Sequence, residues 1–362
     1  MTCLKDKLRQ RIMSDGPLSV AEYMTLCLSD PQFGYYTTRE PFGRKGDFIT
    51  APEVSQMFGE LIGAVCLGAY ESLGAPEAVQ LVELGPGRGT LMADFLRVAV
   101  QRPAFLNAAR LNLVEMSPRL RQVQSDTLKT APLQPEFRDH FAQVPDGPLI
   151  VIANEFFDAL PIHQFVKTAS GWQERQVGLD DKGNLVFGVG VARLPDTAIP
   201  AGAVSASDGS ILETQPAANA IAEEIAARIA KHGGIALFID YGYAKSAAVD
   251  TLQALYKHSY DDVLAHPGEA DITAHVNFET LALAAQAAGA VPLPLLEQGE
   301  FLLRAGLLER AGSLGAGKSP HQQDSIRDAV ERLAAPDQMG SLFKVLAVTT
   351  DGIPFAPFDP AP

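Results

Sequence analysis

The chain has 362 residues, 47% of them hydrophobic and 20% charged, which excludes a wholly disordered protein and allows one large domain or two to three modest ones. Its 43 acidic residues against 29 basic ones give a formal net charge of −14. That charge repels phosphate backbones, so nucleic acid is not an expected partner, and a basic macromolecular surface suits it better.

Residues 1–30 read as helical, with Ser19 capping a helix that carries Val20, Tyr23, Met24 and Cys27 on one face. The charged N-terminal residues are not followed by an apolar run, so no secretory signal is read. No stretch reaches the roughly 18 apolar residues of a membrane span. Cys3, Cys27 and Cys66 form no Cys-x-x-Cys pair, which fits a reducing compartment and argues against a disulfide framework or a cysteine-based metal site. The expectation is a soluble cytoplasmic protein that holds no metal. Pro52 suits the first turn of a helix running from about residue 50 to Leu73.

From residue 79 strands alternate with helices. Apolar runs at 79–84, 109–115, 148–153 and 234–240 read as strands, with helices over 90–100 and from Pro118. Continuous apolar strands belong to a parallel sheet covered on both faces, and their alternation with helices predicts a doubly wound α/β fold. Two segments interrupt it. Turn signals over 165–195 predict one or two hairpins, and the polar stretch 243–276, rich in His, Asp and Gly, reads as a functional loop region. Helices at 277–289 and near 299–311, a strand at 341–348 and an extended Pro-rich tail over 354–362 complete the pass. The expected domains are an N-terminal helical or lid segment over 1–75 and an α/β domain over 76–362. The latter carries a hairpin insertion at 165–212 and a substrate-side insertion at 243–276.

The sharpest motif is Val82-Glu-Leu-Gly-Pro-Gly-Arg-Gly-Thr-Leu91, where a strand ends in Glu83 and Gly85, Gly87 and Gly89 precede a helix. Glycines serve where backbone turns sharply and lies against a ligand. Dinucleotide sites use Gly-x-Gly-x-x-Gly, and phosphate loops require Gly-Lys-Ser/Thr; neither is present. Glu-x-Gly-x-Gly-x-Gly is the signature of Rossmann-like S-adenosylmethionine methyltransferases, and Glu83 suits a cationic ligand better than a pyrophosphate. The competing reading is a tight structural turn. Glu115 closes the next strand, where a carboxylate accepts both hydroxyls of a ribose. The strand at 148–153 delivers Asn154, Glu155 and Asp158 to the same edge. Phe156 and Phe157 there either pack on a sulfonium methyl or belong to the core, and His163 serves as a base or a structural hydrogen-bond partner.

These stretches, with 46–60, 238–242, 268–278 and 340–346, resemble the MidA family, the mitochondrial complex I assembly-factor family of protein arginine methyltransferases. The resemblance spans nearly the whole chain. It implies a class I methyltransferase fold (mostly parallel sheet, helices on both faces), S-adenosyl-L-methionine as cofactor, and a protein substrate with an accessible arginine, a respiratory complex I subunit being one such target. It places Thr50, Pro52 and Gln56 near the cofactor as a lid, with a simple helix cap as the competing account. Because a guanidinium stays protonated, methylating it requires carboxylates to hold it and take the proton. Glu155 and Asp158 are the expected acids and His163 the candidate base. The rival readings are a small-molecule methyltransferase, an assembly factor whose methyl transfer is vestigial, and a nicotinamide oxidoreductase, which the glycine spacing disfavours. Oligomeric state is not read from the sequence.

Overall fold

The structure is a computed structural model describing residues 3–38 and 50–358. Part of the 46–60 stretch therefore lies outside the described residues. Two compact units are built from interleaved pieces of chain. One gathers the described residues of 49–157, 220–242 and 281–362, and the other those of 1–48, 158–219 and 243–280.

The first unit holds a central sheet. Its strands are β1 (Val79–Leu84), β2 (Ala109–Val114), β3 (Glu136–Arg138), β4 (Leu149–Asn154), β5 (Gly234–Tyr243) and β6 (Phe343–Thr349). They lie in the order β3-β2-β1-β4-β5-β6, all parallel except β6. Val291–Pro292 and Leu296–Glu297 add short antiparallel pairings to β6. Every residue of β1 and β4 is buried, as expected for parallel strands covered on both faces. Strand order reverses between β1 and β4, which opens a crevice at their carboxyl ends.

On one face α1 (Ala51–Val54), α2 (Gln56–Ser72) and α3 (Thr90–Ala99) cover the sheet. A Cβ added at Gly59 would lie 2.7 Å from the Asp94 Cβ, and one at Gly63 would lie 3.1 Å from the Phe95 Cα. Those glycines let α2 approach α3 at near backbone distance. The single helix expected from residue 50 to 73 is two, because Ser55 is extended (φ −161°, ψ 141°) and its hydroxyl accepts the Met57 N–H. The helix expected near 299–311 is likewise split, into Gln298–Arg304 and Leu307–Gly315, at Gly306. Over 354–358 the tail turns, the Phe358 N–H donating to the Phe355 carbonyl (2.9 Å), and 359–362 lie outside the described residues. Phe355 and Phe358 are buried, with Phe358 5.7 Å from the Phe301 ring, so apolar burial holds this segment on the core.

In the second unit Ser19 and Glu22 form a capping box for the helix Val20–Ser29, whose Val20, Tyr23, Met24 and Cys27 are buried. Strands 163–168, 171–179, 185–193 and 211–214 make an antiparallel sheet that includes Leu18–Ser19. Residues 253–256, 259–261 and 271–273 form a small antiparallel sheet where a loop region was expected. Strands of three or four residues are too short to display a period. Residues 1–75 are thus divided: the described residues 3–38 share a core with both insertions, while Ala51–Ser72 packs on the central sheet. Among the described residues no helix is long and apolar enough to cross a membrane.

Candidate cofactor cleft

The glycine turn closes β1 as its residue types require. Gly85, Gly87 and Gly89 have φ of +58°, +53° and +79°, values that a Cβ disfavours. The Gly85 N–H donates to the Val114 carbonyl (3.0 Å), tying the turn to the end of β2. A Cβ on Gly85 would stand 2.9 Å from the Phe156 ring, so the turn also abuts the end of β4.

Glu83 is 3% exposed, and its Oε2 has no hydrogen-bond partner among the described residues. Burial pushes its carboxyl from 4.5 up to about 8, because the charged form is poorly solvated there. Glu115 is also raised by burial. The Ser117 N–H (2.7 Å) and the Gln124 amide (3.2 Å) donate to its carboxylate and offset part of that rise.

Gln124, in the helix α4 (Pro118–Leu128), was not singled out from the sequence. It is fully buried and its Nε2 also donates to the Gly87 carbonyl (2.8 Å), so one side chain braces the glycine turn and Glu115 together. Its Oε1 and the Asn154 Oδ1 are further buried oxygens without a partner among the described residues. A buried amide on the apolar face of α4 is the signal that marks it.

At the end of β4, Glu155 adopts φ +49°, a left-handed conformation costly for a residue with a side chain. Its N–H donates to Ile239, while Oε1 accepts the Ala51 N–H (3.0 Å) and the Asn154 amide (3.2 Å). Asp240, fully buried at the end of β5, accepts the N–H groups of Phe156 (3.1 Å) and Phe157 (3.0 Å) and holds this turn. Phe157 is core, 4.9 Å from Phe238; Phe156 is half-buried against the glycine turn.

Thr50 is the N-cap of α1 without a side-chain cap bond, and Pro52 is buried in its first turn. Glu53 accepts the hydroxyl of Thr90, the first residue of α3, at 2.8 Å. The α1 turn is therefore tied to the glycine turn by Glu53 and to the β4 end by Glu155. Gln56 instead donates to Glu60 (2.9 Å), a buried carboxylate that also pairs with Arg310 (2.7 Å) and Arg97 (3.2 Å).

Asp158 and His163 belong to the second unit. The Asp158 carbonyl accepts the Ala274 N–H, and its buried carboxyl contributes to raising the Tyr36 hydroxyl, after burial and Asp271. His163 Nδ1 lies 2.7 Å from Glu174 Oε1 on the adjacent strand.

A parallel sheet of this order with an antiparallel strand beyond β5, a three-glycine turn after its first strand, and acids at the ends of β1 and β2 defines a class I methyltransferase. The chain belongs to a family of S-adenosyl-L-methionine-dependent methyltransferases, which matches residues 61–295. It is similar to the protein arginine methyltransferase NDUFAF7, mitochondrial, of Homo sapiens (38% identity; 94% of this chain, 82% of that protein) and of Danio rerio (36%; 94% and 85%). It also resembles a Burkholderia thailandensis protein solved with S-adenosyl-homocysteine bound (29% identity, TM-score 0.85; 99% of this chain and 95% of that one). The cofactor of this family is S-adenosylmethionine, and the cleft fits it. The unpartnered buried oxygens of Gln124 and Asn154 can accept from a ligand, the buried Glu83 carboxyl can ionise beside a cation, and the glycine turn admits close approach. The cytoplasmic expectation is overturned by the relatives' names, which are mitochondrial.

Proposed function

We propose that this methyltransferase transfers the methyl group to an arginine side chain of a protein. The observation that carries this reading is the similarity to protein arginine methyltransferases over 94% of the chain. The net charge of −14 is consistent with a basic partner. A respiratory complex I subunit as the target follows from the family resemblance.

The bound cofactor supplies an activated methyl group for in-line displacement. The chain's own residues bind, orient and exclude water. Glu83, Glu115, Asn154 and the turn at Gly85, Gly87 and Gly89 hold the cofactor. Thr50 and Pro52 lie in the segment that Glu53 and Glu155 fasten beside the turn, and Gln56 steadies it through Glu60. Glu155 orients the guanidinium and receives the proton it sheds; in the second unit, Asp158 is proposed as a further acid and His163, 2.7 Å from Glu174, as a candidate base. Transfer to a guanidinium must shed a proton, which a carboxylate holding the cation can receive as the N–C bond forms.

The test is a labelled methyl-donor assay on lysate from cells lacking the protein, followed by mass spectrometry of the labelled band. Methylarginine in a protein is expected; label confined to lipids or metabolites would refute the proposal. Glu155→Gln and Asp158→Asn are each expected to lower turnover with cofactor affinity retained.

A further inference from the structure

The strand Leu185–Arg193 forms one edge of the antiparallel sheet in the second unit. It pairs with Gly171–Leu179 and, among the described residues, with no strand on its other side. Its sequence, Leu-Val-Phe-Gly-Val-Gly-Val-Ala-Arg, is uncharged until its last residue. Val186, Val189 and Val191 are 37%, 52% and 94% exposed. Natural sheet edges are normally blunted by charge or a bulge. Here the register is regular from Leu185 to Val189 and shifts only beyond, between Gln173 and Arg175 on the neighbouring strand.

The free backbone groups of that regular stretch follow from the hairpin. The Asp180 N–H donates to the Asn184 carbonyl (2.9 Å) at its mouth. Alternation along an antiparallel pair then makes Gly178/Val186 and Gln176/Gly188 the hydrogen-bonded pairs. The N–H and C=O groups of Leu185, Phe187 and Val189 consequently point out from the edge. This spacing is symmetric about Phe187.

We propose that this edge pairs antiparallel with the same edge of a second copy of the chain, about a two-fold axis at Phe187. Leu185 then exchanges both backbone bonds with Val189 of the other copy, and Phe187 with its own equivalent. Val186 falls opposite Gly188, where an added Cβ would meet nothing within 4 Å. The seam is free of like charge despite the acidic chain. Arg175, whose guanidinium stacks on the Phe187 ring at 3.7 Å, is neutralised by Asp250 at 3.2 Å. An arginine-bearing peptide is the poorer occupant, since Arg175 and Arg193 flank the edge. Five paired residues bury less than the roughly 1,200 Å² of a stable interface. The dimer is therefore weak and concentration-dependent.

Sedimentation of the full chain tests this from about 1 μM to about 500 μM, where so small an interface associates. The sedimentation coefficient is expected to rise from monomer to dimer. Val186→Lys and Val189→Lys, both at exposed positions, should move the midpoint at least about tenfold higher while melting temperature and cofactor affinity hold. In a Cys3→Ser background, a mixture of Val186→Cys and Gly188→Cys chains should form a disulfide-linked dimer under mild oxidation. A monomer throughout, a dimer indifferent to both lysines, or no cross-link in the mixture would overturn the proposal. So would a chain that stays monomeric while the lysines weaken binding of an extended arginine peptide.

Discussion

Glu83 links the sequence motif to a measurable proton. In the ligand-free cleft its buried carboxyl titrates at about 8 instead of 4.5, so it is mostly neutral at pH 7. A cationic ligand favours the carboxylate, so binding expels the proton. From pH 6 to 7 the affinity for S-adenosylmethionine should rise about tenfold and from pH 7 to 8 about fivefold, ending about fiftyfold tighter. Calorimetry at pH 7 in two buffers of different ionisation enthalpy should register the release of about 0.9 proton. Glu83→Gln should remove both effects and bind no better at pH 8 than the native protein does at pH 6. The same group acts on folding. An acid raised in the folded state favours folding below its unfolded value and loses that advantage as pH rises. Ionising Glu83 in place costs about 5 kcal/mol across the window from 4.5 to about 8. The ligand-free Gln variant should therefore match the native melting temperature near pH 4.5 and exceed it at pH 8. An affinity constant from pH 6 to 8 with no proton released would refute the reasoning.

Other expectations follow from the same geometry. Gly85→Ala meets both a positive φ and the Phe156 ring at 2.9 Å. It should cost about 1–3 kcal/mol in thermal unfolding and abolish measurable cofactor binding by calorimetry. Glu155→Ala removes the acceptor of the Ala51 N–H. Amide exchange over Ala51–Val54 should accelerate about fivefold or more, matching a lost cap of about 1 kcal/mol. Glu60→Gln breaks the cluster with Arg97 and Arg310. Because both arginines are partly exposed, the loss should be about 1–3 kcal/mol by denaturant unfolding. Arg310 and Arg97, with Gln56, hold the Glu60 carboxyl low against the opposing effect of burial. Its stabilisation should accordingly be present above about 4.5 and fade as pH falls through its lowered value.

Much of the fold was legible because it rests on local rules. Continuous apolar runs marked β1, β2, β4 and β5, and the glycines after Glu83 declared a turn needing positive φ. Ser19 announced a helix start. The helix Pro216–His232 was not read, since alanine supplies little of the large apolar periodicity that marks a helix face. Pro320–Ala334 escaped because it buries only Leu333 fully. Gln124 was invisible as a site residue and Asp240 was legible only as the strand end within 238–242, because each acts by reaching backbone far away in sequence.

The sequence by itself thus determined the α/β class, the glycine turn and the acidic ends of the first two strands, all set by neighbours within a few residues. Tertiary structure alone decided that residues 3–38 share a core with both insertions. It also decided that Glu155 fastens Ala51, that Gln124 braces Glu115 and the Gly87 carbonyl, and that burial leaves Glu83 with a proton to lose. Those outcomes depend on which distant groups exclude water or supply a donor. No local pattern encodes that.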